Sequence, residues 1–128
     1  MLKEEGITHV GKKRIKFGRR GLRPKGAKYG SSKSWHYVLD KYTGNASARD
    51  ISIYNGTDAD YAEFRRMLLS NARVRNWMST KGWGIINEIT PAALKRTRGT
   101  GRHFHFGPDR WAKRTWKKWL ENPNIPVT

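Results

Sequence analysis

Polar and apolar side chains alternate in two separate parts of the chain. Residues 103–106 have the sequence His-Phe-His-Phe, and residues 48–54 place Ile51 and Ile53 on one face and Asp50 on the other. Because successive side chains of a β-strand point to opposite faces, each segment is predicted to be a strand with one apolar face. In the later strand the two phenylalanines would anchor a core, and both imidazoles would face a cleft.

Helical spacing of apolar residues replaces this alternation over 57–79. Thr57 is placed to cap that helix, and Asp58 and Asp60 fall in its first turn, where the helix dipole favours carboxylates. We assign both carboxylates to the helix start rather than to catalysis.

A second helix is predicted over 109–122, with Asp109 as its cap. Further strands are predicted over 35–39 and 82–90, and residues 40–45 form a turn. The expected fold is therefore α+β, a small antiparallel sheet packed against two main helices, about 57–79 and 109–122. The apolar face of the last helix is assigned to Trp111, Thr115, Trp116, Trp119 and Leu120.

Length and composition limit the classes of protein to which this chain can belong. The chain has 128 residues, which predicts one domain, assigned to residues 31–122. The dense positive charge before it is assigned to a basic N-terminal arm over 1–30, and residues 123–128 form a tail. It has no cysteine, which excludes disulfides and thiolate metal sites. No apolar run approaches the length of a membrane span, and the N-terminal residues lack the apolar core of a signal peptide. We expect synthesis in the cytoplasm and no membrane span.

The charge balance predicts a polyanionic partner. Lys and Arg number 27 against 10 Asp and Glu, giving a net charge of +17. Such a surface attracts nucleic acid or an anionic cell-wall polymer, and charge alone does not choose between them.

Three segments supply candidate metal ligands: His36, Asp50, and either His103 or His105. Two imidazoles and a carboxylate, with an open fourth position, form a known arrangement for catalytic zinc. The other histidine of the later strand would then be available to move a proton. Two histidines on the wet face of a half-buried strand are the alternative. Glu88 is either a surface carboxylate or a catalytic group.

The order of these motifs resembles a known family. Ser34-Trp35-His36, Gly44-Asn45-Ala46, Ala48-Arg49-Asp50-Ile51 and Gly99-Thr100-Gly101-Arg102-His103-Phe104-His105 are similar to the motifs of the zinc D-alanyl-D-alanine carboxypeptidases and L-alanyl-D-glutamate endopeptidases, which share a hedgehog-like peptidase site. The resemblance covers about residues 30–120 and is strongest to small phage-encoded members. It implies a compact α+β fold with zinc on an antiparallel sheet, and hydrolysis of peptidoglycan peptides.

Carried over to this sequence, the resemblance makes His36, Asp50 and His105 the Zn²⁺ ligands and His103 the auxiliary group that activates water or stabilises the oxyanion. It also implies a substrate-binding role for Ser34 and for an arginine before it, Arg20 or Arg23. The protein would act at the bacterial cell wall, either free in the manner of an endolysin or as a virion component.

Two features depart from the family pattern. The interval between His36 and Asp50 is about twice the usual one, because residues 37–47 form an apparent insertion. Many members also carry an acidic general base just before the last histidine, where this chain has Thr100, Gly101 and Arg102. His103 or Glu88 would replace that base.

The alternative function is a non-catalytic basic virion or nucleic-acid-binding module on the same fold. The charge of the N-terminal arm favours it, although the sequence contains no motif for base-specific recognition. A serine hydrolase ranks third, because Ser34 and Ser52 lack the context of a nucleophile elbow.

Overall fold

The computed structural model describes residues 1–18, 35–37, 46–88 and 102–126. These residues form a five-stranded antiparallel sheet and three α-helices, so the predicted α+β class is confirmed. The strand order across the sheet is β1-β2-β3-β5-β4. The elements are β1 (His9–Val10), β2 (Lys13–Phe17), β3 (Arg49–Ile53), α1 (Asp58–Ser70), α2 (Ala72–Lys81), β4 (Gly84–Glu88), β5 (His103–Gly107) and α3 (Arg110–Glu121), with one 3-10 turn at Trp35–Tyr37.

The register of the three strands at one end of the sheet decides which side chains meet. Asp50 on β3 lies opposite His105 on β5, and Glu88 on β4 lies opposite His103. Paired residues project from the same face of a sheet, and residues two apart along a strand share that face. The predicted alternation of β5 therefore places both histidines, Asp50 and Glu88 on one face.

The opposite face of the same strands carries the core. Phe104 is fully buried, and its ring lies 5.1 Å from that of Tyr61, 5.4 Å from Phe64 and 5.5 Å from Trp119, measured between centroids. Helices α1 and α3 thus both pack onto the β5 strand. This packing holds the strand that carries the two histidines, because each phenylalanine fixes the orientation of its neighbours.

The helix predicted over 57–79 is two helices. Asn71 leaves helical geometry, with φ −98° and ψ 110°, and its side chain accepts a hydrogen bond from the backbone N–H of Val74 at the start of α2. An asparagine favours such a cap over a mid-helix position. At the start of α1 the prediction is confirmed: Thr57 and Asp60 form a reciprocal capping box.

Helix α3 has a narrower buried face than predicted. Ala112, Trp116 and Trp119 are buried, whereas Trp111 is 62% and Leu120 46% exposed, so assigning these two to the apolar face was wrong. The helix approaches β4 so closely that a Cβ on Gly84 would overlap the backbone carbonyl of Ala112.

The first eighteen residues contribute to the core as well as to the positive charge. Leu2, Ile7, Val10 and Ile15 are buried, and β2 pairs with β3. Near the other end, the carbonyl of Ile125 accepts a hydrogen bond from Arg65. The predicted boundary near residue 30 and the turn over 40–45 lie outside the described residues.

The predicted strand over 35–39 is wrong where the structure describes it. Trp35–Tyr37 form a 3-10 turn, with Trp35 39% exposed and His36 buried. The His36 ring is held by side chains of β3 and β5 rather than by a backbone ladder of its own.

Candidate metal centre

Three side chains from three separate elements converge on one point. His36 comes from the 3-10 turn, Asp50 from β3 and His105 from β5. His36 Nε2 lies 3.2 Å from Asp50 Oδ1 and 3.2 Å from His105 Nδ1, and His105 Nδ1 lies 3.1 Å from Asp50 Oδ1. These three atoms form a nearly equilateral triangle. Each is of a type that binds metals, and together they could hold a metal ion.

The size of this triangle fits a small tetrahedral cation. Bonds of about 2.0–2.2 Å from zinc to nitrogen and oxygen put two ligands of a tetrahedron about 3.3–3.6 Å apart. The observed edges of 3.1–3.2 Å are close to that spacing. Three donors on one triangle leave the fourth vertex for another ligand, as catalytic metal sites require.

Asp109 contacts the His105 ring on the side that faces away from the triangle. Its Oδ1 lies 2.6 Å from His105 Nε2, the ring nitrogen that faces away from the triangle. The sequence assigned Asp109 to capping α3; it does occupy the cap position, but its side chain makes no capping hydrogen bond. A carboxylate four residues after the second histidine, across a Gly-Pro turn, was the available sequence signal for this contact.

The charges around His105 change its affinity for protons. Burial disfavours the charged ring, but hydrogen bonds to Asp109 and Asp50 outweigh burial and raise the pKa of His105 to about 9. Burial also opposes ionisation of Asp50, yet its hydrogen bonds to His105 and His36 hold the pKa of Asp50 well below its usual range. With no metal bound, the centre therefore pairs an ionised carboxylate with a protonated imidazole.

His103 and Glu88 lie beside the triangle. His103 Nε2 is 3.4 Å from Asp50 Oδ1 and 3.7 Å from Glu88 Oε2. Glu88 is only 7% exposed, which differs from the surface position that the sequence left open. Of the two histidines on β5, the group of converging ligand atoms contains His105 and not His103.

The structure does not describe the remaining predicted site residues, Arg20, Arg23 and Ser34. Arg102, one of the positions where an acidic base was expected, pairs with Asp58 on α1. The fourth histidine, His9, is exposed on β1 beside Thr8 and takes no part in the centre.

Comparisons with known proteins add no family assignment. No family model, curated protein or solved structure matches the chain. Among the residues that the structure describes, none of the helices is long and apolar enough to cross a membrane.

Proposed function

We propose that this protein is a zinc-dependent peptidase that hydrolyses peptide bonds of bacterial peptidoglycan. The observation that supports the proposal is the His36–Asp50–His105 triangle, with edges of 3.1–3.2 Å. Each of these residues matches a ligand position of the peptidase family that the sequence resembles. The geometry and the motif order are independent arguments for the same three residues.

Zinc suits this donor set, and magnesium and calcium do not. Two imidazoles and one carboxylate in a tetrahedral arrangement with an open vertex are typical of catalytic zinc, whereas magnesium and calcium prefer all-oxygen, higher-coordinate sites. When bound at such a site, zinc lowers the pKa of a water molecule to near neutral and polarises a peptide carbonyl.

His103, assisted by Glu88, would move the protons of the reaction. Hydrolysis of a peptide bond requires a group that takes a proton from the attacking water and delivers one to the leaving amine. His103 Nε2 lies 3.4 Å from the Asp50 oxygen that belongs to the triangle, and the Glu88 carboxylate lies opposite His103 across the strand pair. In this proposal His103 carries the proton, and Glu88 orients the ring and stabilises its positive charge.

The substrate follows from the resemblance. Peptidoglycan stems and cross-links are the peptides cleaved by the family that these motifs resemble. Ser34 and either Arg20 or Arg23 would bind the substrate, the arginine through a carboxylate. The site of action would be the bacterial cell wall, reached either at lysis or as part of a phage particle.

The first experiment measures metal and cleavage together. We expect about one zinc per wild-type chain, and release of new amino groups from peptidoglycan fragments, lost on chelation and restored by Zn²⁺. The double variant His36→Ala, His105→Ala should lose both properties. His9→Ala is the matched control, since this exposed histidine lies outside the centre.

Two results would overturn the proposal. One is a folded wild type that cannot be loaded with zinc. The other is a zinc-loaded wild type that leaves every peptide bond of the fragments intact. Far-ultraviolet circular dichroism of each variant separates loss of a ligand from loss of the fold.

A second function, binding to a polyanion, is supported by α3. Its outer side presents five cations, and the ring of Trp111 lies under the Arg114 guanidinium at 4.8 Å from centroid to carbon. An exposed aromatic ring among cations suits stacking on bases or sugars beside phosphates. The cations are Arg110, Lys113, Arg114, Lys117 and Lys118.

Salt dependence tests this second function. A protein that binds phosphates loses affinity steeply as the salt concentration rises. The slope of log affinity against log salt concentration becomes smaller when a contacting cation is removed. We expect Arg114→Ala and Lys117→Ala to reduce the slope for single-stranded DNA or teichoic acid, and Lys13→Ala, whose ammonium pairs with Asp60, to leave it nearly unchanged. Binding without zinc or cleavage would make the non-catalytic module the better account. Equal slopes in all variants would contradict a role for α3.

A further inference from the structure

We propose that Asp109 is a positioning residue that directs Nδ1 of His105, rather than Nε2, toward the metal, and that Gly107 provides the space for this contact. The inference rests on the metal site of the proposed function and adds the part played by the turn between β5 and α3. Neither residue would touch the metal or the substrate.

The argument begins with the two ring nitrogens. A neutral imidazole has one nitrogen with a lone pair and one with a proton, and only the lone pair can bind a metal. His105 Nδ1 lies in the triangle, 3.1 Å from Asp50 Oδ1, so metal binding leaves the proton on Nε2. Nε2 then donates to Asp109 Oδ1 at 2.6 Å. Because this carboxylate oxygen is placed to accept a hydrogen bond from Nε2, Asp109 selects the tautomer that binds metal through Nδ1.

The backbone at Gly107 makes the contact possible. A Cβ at this position would lie 2.6 Å from Asp109 Oδ1, 3.2 Å from His105 Nε2 and 3.2 Å from the Ala48 side chain. The first distance is shorter than any normal contact, so an alanine would push the Asp109 carboxylate away from the ring. The hydrogen bond and the absence of a side chain at Gly107 thus belong to one arrangement.

The position of Asp109 in the chain explains how the contact is held. It immediately precedes α3, where an aspartate usually caps the helix, yet its carboxylate makes no capping hydrogen bond. Close approach of α3 to β4 at Gly84 fixes the start of the helix relative to the sheet. The helix therefore carries a partner for a ligand that belongs to the neighbouring strand.

Zinc affinity measured by competition with a chelator tests the inference. Loss of such an outer contact lowers metal affinity about 10- to 100-fold. We expect a loss in that range for Asp109→Ala and for Gly107→Ala. Asp109→Asn, whose amide oxygen can still accept from Nε2, should recover most of the affinity. In the double variant the two losses should not add, because both remove the same hydrogen bond.

Nitrogen NMR of the zinc-loaded protein provides a readout that a merely structural role would not change. We expect zinc on Nδ1 and a proton on Nε2 of His105 in the wild type, and a mixed or reversed pattern in Asp109→Ala. Zinc on Nε2 in the wild type, or wild-type affinity in both folded single variants, would overturn the inference. A wild type that binds zinc through Nδ1 but cleaves nothing would overturn the peptidase proposal alone, and one that binds no zinc would overturn both.

Discussion

His36 Nε2 and His105 Nδ1 lie 3.2 Å apart although 69 positions separate the two residues in the sequence. Two imidazole nitrogens at this distance share a proton or a metal ion, because two lone pairs would repel each other at such close range. The carboxylate of Asp50 lies at 3.1–3.2 Å from both nitrogens and supplies the negative charge that either cation needs. The arrangement is therefore built for a positive charge at its centre.

We expect His103→Ala to separate zinc binding from catalysis. Because His103 lies outside the converging ligands, the variant should keep about one zinc per chain. Loss of a proton-transferring group should lower the cleavage rate by about 100- to 10,000-fold. Zinc content and cleavage are measured on the same sample. Loss of zinc in this variant would instead make His103 a ligand.

Glu88→Gln should have a smaller effect of the same kind. The amide keeps the size of the buried side chain but cannot stabilise a positive charge on His103, 3.7 Å away. We expect zinc content to be unchanged and the cleavage rate to fall less than in His103→Ala. Combining both substitutions should cost little more than His103→Ala alone. Full additivity of the two losses would show that Glu88 acts independently of His103.

Zinc affinity should increase with pH between pH 7 and 8.5. Burial opposes the charge on His105, but Asp109 and Asp50 raise the pKa of its ring to about 9 without metal. Below that pKa the ring holds a proton that zinc must displace, so this group alone weakens binding about tenfold for each unit of decrease in pH. Competition with a chelator of known pH dependence measures the slope. An affinity independent of pH over this interval would contradict the raised pKa of His105.

Phe104→Ala should destabilise the whole domain and disrupt the metal centre with it. The ring is fully buried among Tyr61, Phe64 and Trp119. Removing such a ring costs about 3–5 kcal/mol in the free energy of unfolding. Urea unfolding of the metal-free protein gives the value. Trp111→Ala is the control on an exposed aromatic residue, and we expect it to change stability by less than about 0.5 kcal/mol.

The alternation of β5 was sufficient to predict the most important strand. His103 and His105 share a face because Phe104 and Phe106 are buried on the other, and that division depends only on local sequence. The start of α1 was equally local, since Thr57 and Asp60 form their capping box within one turn. Features determined by neighbours in the chain were thus accessible without a structure.

Features that depend on packing between elements or on the exact path of the chain were not predicted. The exposure of Trp111 depends on what packs against α3, which periodicity does not specify. The break at Asn71 is a local cap, but the apolar spacing continues across it and so predicts one helix. The hydrogen bond between Asp109 and His105 depends on the path of the chain through Gly107 and Pro108. A local pattern assigned Asp109 to the helix cap, because capping is the commonest use of an aspartate at that position.

The pairing of β3 with β5 has a consequence for how the protein acquires its metal. Asp50 and His105 are 55 positions apart and meet only when these two strands are joined in register. Closing so long a loop is entropically costly, and a sheet built from such non-local pairings forms slowly. A nascent or partly folded chain therefore offers single ligands but no complete set. Zinc uptake would then mark the end of folding, and any peptidase activity would begin only once the sheet is complete.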